Sequence, residues 1–574
     1  MIRPQKNRFR KLRALDGRWE FRKDPMDLGL RKGWGKGFKK DRFLPVPASW
    51  NEQAQDLWDY LGPGWYQTTF RPFSSPRGSR TFLRFGSVHY HATVWLNGLR
   101  LGSHEGGHLP FQFEVTDIPR KGMDRLVVRV EGLLRPDRVP PGNVPFHPKD
   151  AFNNQFNPPA SFDFFPYCGI QREVVLYSTP KESVRDLTVS TRSDGPTGLV
   201  HVQVAAPEGS EFRMKLSGHG RPLQVEGPSP ETVFRVPQAK LWAPGSPSLY
   251  GLTVERMKNG RPVDRVDLPV GIRTFEVHGE KLLLNGKPIS LKGFGRHEDS
   301  PRLGRGLTDR ERQKDFRNML AVGANSYRTS HYPYSEKDLD LADRLGFLVI
   351  DETPAVGLFF RKEGLKKRLA LCRQMTRDMI ERDKNHPSVV MWSLANEPHS
   401  HRPAALPFFK DLASLARTLD PTRPVTLVSY LGTKEASFSF LDTVCVNRYF
   451  GWYSEPGDLA KALPRLSKDL DSMGRRFKKP VLVTEFGADA IPGSHADPPA
   501  LFSEEYQAAL IDGYLRIMAR KPFVAGAHVW NLNDFRTAQA THRPNGMNYK
   551  GVFGRDRKPK KAVRVLKRAW KGDR

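Results

Sequence analysis

Val389-Val390-Met391-Trp392-Ser393-Leu394-Ala395-Asn396-Glu397-Pro398 is a strand-like, mostly apolar run that ends in an amide, a carboxyl and a proline. A second run of the same design, Val481-Leu482-Val483-Thr484-Glu485-Phe486-Gly487, again ends on a glutamate. Continuous apolar runs of this length read as strands of a parallel sheet buried on both faces. A carboxyl at the C-terminal end of such a strand is where an α/β barrel keeps its chemistry.

Working outward, eight candidate strands fall near 288–294, 324–330, 347–352, 388–396, 424–430, 443–449, 480–486 and 524–531. Amphipathic stretches such as Arg310 to Leu320 and Ser335 to Leu345 lie between them. Eight strand–helix units in this span predict a (β/α)₈ TIM barrel over residues 276–574. A doubly wound sheet is the alternative; eight regular repeats favour closure. Upstream the texture is different. Thr81–Phe85, Ala92–Leu96, Leu126–Val130 and Val174–Tyr177 have short strand character, and Asn97-Gly98 is a hairpin signal, so residues 1–180 read as a β-sandwich. Residues 181–275, with Leu199–Val204 alternating and Asn259-Gly260 marking another hairpin, fit an immunoglobulin-like sandwich without its disulfide.

The chain has 574 residues, too many for one core, with 38% hydrophobic and 11% aromatic content, which predicts a globular multidomain protein. No apolar run reaches the roughly 20 residues of a membrane helix. No apolar stretch follows the basic start, so no secretory signal is expected. Cys168, Cys372 and Cys445 are far apart and odd in number, which fits neither a disulfide framework nor a zinc site; a reducing cytoplasm is the simplest setting. The net charge of +30 has a sharp reading, attraction to a polyanion, and a bland one, a solvated basic surface. No nucleic-acid motif accompanies the charge, so a nucleic-acid partner is not expected.

On this strand count Glu397 ends the fourth strand and Glu485 the seventh, so both point to one face. A lone glutamate there is readily a structural salt-bridge partner; two flanked by aromatics and Asn point to chemistry. Paired carboxyls, one protonated and one ionised, are the minimum machinery for breaking a glycosidic bond. Asn396 adjoins Glu397, where its amide is placed to bond a sugar 2-hydroxyl.

The chain resembles glycoside hydrolase family 2 nearly end to end and, within it, the β-glucuronidases. Asp163-Phe164-Phe165-Pro166-Tyr167-Cys168-Gly169-Ile170-Gln171-Arg172 is similar to the family's sugar-binding-domain motif. Leu241-Trp242-Ala243-Pro244 through Gly271-Ile272-Arg273 resembles its sandwich-to-barrel junction. Gly293-Phe294-Gly295-Arg296-His297-Glu298-Asp299 and Asn325-Ser326-Tyr327-Arg328-Thr329-Ser330-His331-Tyr332-Pro333 resemble its first two barrel strands. The resemblance implies a jelly-roll for the first sandwich and a retaining mechanism with Glu397 as acid/base and Glu485 as nucleophile. It implies that Tyr449, in Asn447-Arg448-Tyr449-Phe450-Gly451-Trp452-Tyr453, contacts the nucleophile, with Asn447 and Tyr453 also at the substrate. It places His297, His331 and Trp530 along the sugar subsite and has Asp163 reach the sugar from the N-terminal domain. It implies no metal or other cofactor, and a homo-oligomer, dimer or tetramer.

Asn548-Tyr549-Lys550 resembles the Asn-x-Lys motif with which β-glucuronidases hold a C6 carboxylate. The physics agrees: a uronate is costly to desolvate unless paired, and an ammonium plus an amide supply charge-assisted hydrogen bonds. On this reading a neutral hexose leaves Lys550 unpaired, which selects against galactosides. Arg543 is the nearest match to an arginine that precedes the motif, one residue further from Asn548 than in the relatives, and Phe486 replaces a common Tyr. Between Gly357 and the next helix only the short connection Leu358 to Leu365 intervenes, where relatives acting on small drug glucuronides often carry a long loop. The short link and the basic charge suggest a glucuronide or an acidic oligosaccharide as substrate. Competing readings are a β-galacturonidase with the same carboxylate clamp and a non-catalytic acidic-carbohydrate binder; the intact Glu397 and Glu485 argue against the second.

Overall fold

The structure, a computed structural model, describes residues 2–119, 122–142 and 156–572. The N-terminal part is a jelly-roll sandwich of two antiparallel sheets. A six-stranded sheet runs in the order Arg42–Val46, Gly17–Lys23, Pro63–Phe70, Asp124–Glu131, His91–Leu96, Leu99–Glu105. It faces a four-stranded sheet of Leu12–Ala14, Val174–Pro180, Ser79–Phe85 and Phe111–Glu114. Alternate residues of both sheets, among them Trp19, Phe21, Tyr66, Leu83, Val94, Val128 and Leu176, meet in one buried core, as the strand period of two requires. Asn97-Gly98 forms the expected two-residue hairpin: both residues have positive φ (53° and 82°), and Leu96 pairs with Leu99. That is the type I′ geometry whose twist suits flanking strands. Asn259-Gly260 and Asn285-Gly286 repeat it.

The second sandwich has a three-stranded sheet (Asp186–Asp194, Thr197–Ala205, Glu231–Val236). Against it lies a four-stranded one (Gly220–Gly227, Glu211–Gly218, Tyr250–Lys258, Arg261–Val270). Val200, Val202, Phe212, Leu252 and Val254 fill the space between them. The three cysteines are buried free thiols.

Eight parallel strands then close into a barrel: β1 Leu291–Gly295, β2 Ser326–Arg328, β3 Leu348–Glu352, β4 Val389–Asn396, β5 Val425–Ser429, β6 Val444–Asn447, β7 Val481–Glu485 and β8 Val524–Val529. All eight match the strands expected from the sequence. Leu291, Ile350, Met391, Val428, Cys445 and Leu482 converge from different strands to pack the interior, so the barrel is a core and not a channel. Its helices are α1 Asp309–Val322, α2 Glu336–Leu345, α3 Leu365–Asp383, α4 Ala405–Leu419, α5 Leu459–Phe477, α6 Glu504–Ala519 and α7 Ala562–Lys571. Capping is legible at α1, where Thr308 and Glu311 form a reciprocal capping box.

One expectation fails. The eight strand–helix units are not complete, because β5 and β6 are joined only by two 3₁₀ turns, Gly432–Lys434 and Ala436–Ser439. Residues 430–443 are close to the shortest stretch that can carry a helical crossover with its loops. The buried Glu435 carboxylate organises the link instead, accepting hydrogen bonds from Ser429 Oγ at 2.8 Å, Ser437 N at 3.0 Å and Ser400 Oγ.

The jelly roll is pinned across the C-terminal mouth of the barrel. Arg172 donates to Glu298 at 2.8 Å and to the Pro333 carbonyl. The Arg536 guanidinium lies 3.7 Å from the Phe165 ring centre and bonds the Asn51 and Trp58 carbonyls. Phe162 and Phe164 are buried, and Phe164 packs 5.0 Å from His297. The segment between those two rings is thereby fixed, and Asp163 is presented to the barrel mouth. Among the described residues no helix is long and apolar enough to cross a membrane.

Candidate active site

Glu485 is the last residue of β7 and Glu397 follows the last residue of β4, so parallel strands deliver both to the same end of the barrel. Asn447, the last residue of β6, pairs in register with Glu485. Its Nδ2 donates to Glu397 Oε1 at 2.7 Å and to Asn396 Oδ1 at 3.2 Å. Thr484 Oγ donates to Asn447 Oδ1 at 3.0 Å, which fixes the amide's orientation. Asn396 Oδ1 also accepts from Arg328, leaving its N–H group for the cleft. Glu397 adopts φ 46°, a left-handed conformation that costs a non-glycine residue about 1–3 kcal/mol and gathers at functional sites. Its backbone N–H holds the Val428 carbonyl at 2.9 Å. Although part of Glu397 remains open to the cleft, the walls around it desolvate the carboxyl and raise its pKa above the ordinary value, against the Asn447 hydrogen bond and the more distant Arg328 and Arg448.

Glu485 is more enclosed and more richly bonded. Arg328 Nη2 donates to its Oε1 at 2.5 Å, Tyr449 OH to its Oε2 at 2.7 Å, and His331 Nε2 stands 3.5 Å from Oε1. Burial raises its pKa also; the Arg328 guanidinium and the adjacent His331 oppose that shift, and the neighbouring Glu397 adds to it. Arg328, fully buried on β2, donates to Glu352 at 2.8 Å as well as to Glu485. The reading of the sequence did not single out Arg328, although it lies inside the quoted Asn325–Pro333 stretch. The available signal was physical: a charge in a buried strand is tolerated only with partners.

Trp530, just past β8, forms the floor. Its ring stacks on His331 (5.0 Å, 18°) and meets His297 edge-on (5.3 Å, 86°). Gly295 makes room for it: a Cβ there would stand 2.5 Å from the indole. His297 Nδ1 lies 3.1 Å from Tyr332 OH, and burial lowers its pKa well below the usual value, so the ring is neutral.

The remaining residues picked from the sequence form a polar rim. Asn548 Nδ2 donates to Asp163 Oδ2 at 2.7 Å. Arg543 Nε and Nη2 make a two-point contact with the same carboxylate at 2.7 and 2.5 Å. Lys550 Nζ donates to Tyr453 OH at 3.0 Å and to Asp489 Oδ2, and stands 5.8 Å from the Tyr449 ring centre, which ties the rim to the carboxyl pair. The longer spacing between Arg543 and Asn548 does not remove Arg543 from the cluster. The extra residue is taken up by the turn Pro544–Gly546, where Asn545 has φ 56°. The expectation that Lys550 stands unpaired without a uronate is corrected, because Asp489 already neutralises it. Burial works to raise the Asp489 pKa, but Lys550 and Arg543 outweigh it and hold the carboxylate ionised. Asp489, four residues after Glu485, was not foreseen; its pairing becomes visible only when the loops after β7 and β8 meet.

A groove of about 1220 Å³ lies elsewhere, between the second sandwich and the segments that lead into β4–β7, and neither glutamate lines it. Among the described residues no group of three or more His, Cys, Asp or Glu is arranged to hold a metal ion. What the barrel mouth can do chemically is donate a proton from one carboxyl, attack with the other, and hold an acidic ligand at the rim.

Sequence profiles of "Glycosyl hydrolases family 2" match in three parts: the sugar binding domain over residues 12–180, a central domain over 174–273 and the TIM barrel domain over 275–572. The chain belongs to this family and is a glycoside hydrolase. Its particular likeness is to proteins named β-glucuronidase. The Paenibacillus borealis β-glucuronidase is 41% identical over 99% of this chain and 98% of its own. The solved β-glucuronidase of an uncultured Clostridium sp. superimposes with a TM-score of 0.93 at 38% identity, covering all of both chains. The Ruminococcus gnavus β-glucuronidase, solved in complex with C6-substituted uronic isofagomine, gives 0.93 at 35% identity over 99% of each chain.

Proposed function

We propose that the chain is a retaining exo-β-glucuronidase that hydrolyses terminal β-D-glucuronides through a covalent glycosyl-enzyme. The observation that carries this reading is the junction of two buried-strand carboxyls with an Asn548/Lys550/Arg543 rim in one mouth. A carboxylate recognition site beside a glycosidic carboxyl pair selects a sugar that bears an acid at C6, and the named relatives point the same way. On this reading residues 1–180 are the sugar-binding sandwich, 181–275 the immunoglobulin-like link and 276–574 the catalytic barrel.

Glu485 attacks the anomeric carbon. Its ionised form has the guanidinium of Arg328 and the Tyr449 hydroxyl as direct donors, whereas Glu397 has one amide. That asymmetry supports ionised Glu485 and protonated Glu397, which gives its proton to the leaving oxygen and then takes one from the water that hydrolyses the ester. Asn396 holds the 2-hydroxyl, and Trp530, His297 and His331 shape the sugar floor. After p-nitrophenol departs in the first step, the glucuronate freed from p-nitrophenyl β-D-glucuronide is initially the β-anomer, read by proton NMR before mutarotation; an initial α-anomer contradicts retention.

The pH dependence has a defined sign. Burial holds the Glu397 carboxyl above its ordinary pKa, so activity falls as pH rises through that raised value and the proton is lost. Glu397→Gln removes this alkaline limb. It slows poor leaving groups, such as a second sugar, by about 10²–10⁴-fold, and activated nitrophenol much less in the glycosylation step. An unchanged alkaline limb in the variant contradicts the assignment. The link after β3 folds against the end of β4, with Gly357 N on the Asn396 carbonyl and the Leu358 carbonyl accepting from His399 N. This compact link supports an aglycone side open to the remainder of an acidic oligosaccharide whose non-reducing glucuronate occupies the sugar subsite.

A further inference from the structure

Each principal donor group of the rim already holds a carboxylate of the protein. Asp163 takes the two-point contact of Arg543 and the Nδ2 of Asn548, and Asp489 takes Lys550. Arg543 and Lys550 contribute two positive charges and Asp163 and Asp489 two negative ones, so the rim is neutral before any ligand arrives. A uronate entering this arrangement brings a further negative charge into a site whose donor groups already hold carboxylates, and at low dielectric that is unfavourable.

We propose that Asp163 is an internal stand-in for the substrate's carboxylate, and that the uronate displaces it from Asn548 and Arg543 on binding. The proposal rests on the glucuronidase reading above. Three observations favour Asp163 over Asp489 as the group that yields. The Asp163 side chain is 35% exposed and that of Asp489 1%. Asp489 is also anchored by the backbone N–H of Tyr549 at 2.7 Å. Asp163 sits between the buried rings of Phe162 and Phe164, so its backbone stays in place while the side chain turns. The contact Asp163 makes with Arg543 has the planar fork geometry with which arginine takes any carboxylate. Asp163 thus keeps the rim charge-balanced and ordered when empty, and it weakens acidic ligands by the cost of its own displacement. A neutral sugar, which brings no carboxylate to compete, leaves Asp163 where it is.

The test is calorimetric and does not depend on turnover. Dissociation constants of D-glucaro-1,5-lactone and D-glucono-1,5-lactone, which differ in the acid at C6, are measured for wild type, Asp163→Asn and Asp163→Ser. The expected result is that the preference for the acidic lactone grows at least fivefold in both variants, because the uronate no longer competes with an internal carboxylate. If Asp163 serves only to bind a sugar hydroxyl, both lactones weaken together, the preference is unchanged, and the proposal is overturned. A crystal structure of the wild type with D-glucaro-1,5-lactone gives an independent reading. Asp163 is expected off Asn548 and Arg543, and retention of the 2.7 Å contacts contradicts displacement. If wild type itself shows no preference for the acidic lactone, the carboxylate rim is misread and the functional reading fails with it.

Discussion

Glu485→Gln is expected to reduce turnover of p-nitrophenyl β-D-glucuronide by about 10⁴-fold or more, the scale seen when a covalent nucleophile is removed. An amide cannot form the glycosyl ester, and the exchange keeps the shape of the side chain. Arg328 loses one anionic partner but keeps Glu352 at 2.8 Å, so the barrel is expected to stay folded. A thermal melt separates lost chemistry from lost structure. The smaller replacement Glu485→Gly opens space below the anomeric carbon, where added azide attacks an activated substrate directly. The α-glucuronosyl azide is then the product, because a single displacement inverts. Near-wild-type turnover in the glutamine variant, or a β-azide from the glycine variant, contradicts the assignment of Glu485.

Lys550→Ala carries the second large effect. Truncating one partner of a buried, hydrogen-bonded charge pair costs about 2–5 kcal/mol, roughly 30- to 5,000-fold in kcat/KM on glucuronide. The upper part of that range is expected here. Lys550 is fully buried and its partner Asp489 is held below the ordinary carboxylate pKa, so the variant leaves a negative charge offset only by Arg543, 3.7 Å away, where the uronate must sit. Activity on the matching β-glucoside is expected to change far less. Adding Asp489→Asn to Lys550→Ala removes the stranded charge and is expected to recover part of the loss, a non-additive coupling that the double-mutant cycle reads directly. Strict additivity, or an unchanged preference for glucuronide over glucoside in Lys550→Ala, contradicts a role for this pair in acid recognition.

The barrel was legible because parallel strands buried on both faces are written as unbroken apolar runs, and the polar residue that ends each run is a local signal. Glu397 and Glu485 are visible for that reason. The hairpins were legible because Asn-Gly meets a backbone demand for positive φ that few residue pairs meet. The β5–β6 link was not, since the eightfold rhythm argues for a helix while a short link organised by the buried Glu435 stands in its place. Arg328 and Asp489 were missed for a different reason. Each matters through a partner far away in sequence, 157 residues for Arg328 with Glu485 and 61 for Asp489 with Lys550, and no spacing rule announces such a pair. The pairing of Lys550 shows the cost of reasoning from one side of a charge pair. The lysine was identified from its motif, but its electrostatic state depends on a carboxylate from another loop.

The most direct test of the account compares initial rates of wild type on four p-nitrophenyl glycosides: β-D-glucuronide, β-D-galacturonide, β-D-galactoside and β-D-glucoside. kcat/KM on the glucuronide is expected to exceed that on each of the others, with the glucoside, which differs only in lacking the acid, lower by at least two orders of magnitude. Hydrolysis of the neutral sugars at rates equal to or above the glucuronide would contradict the account, because the rim built by Asn548, Lys550 and Arg543 would then recognise no carboxylate.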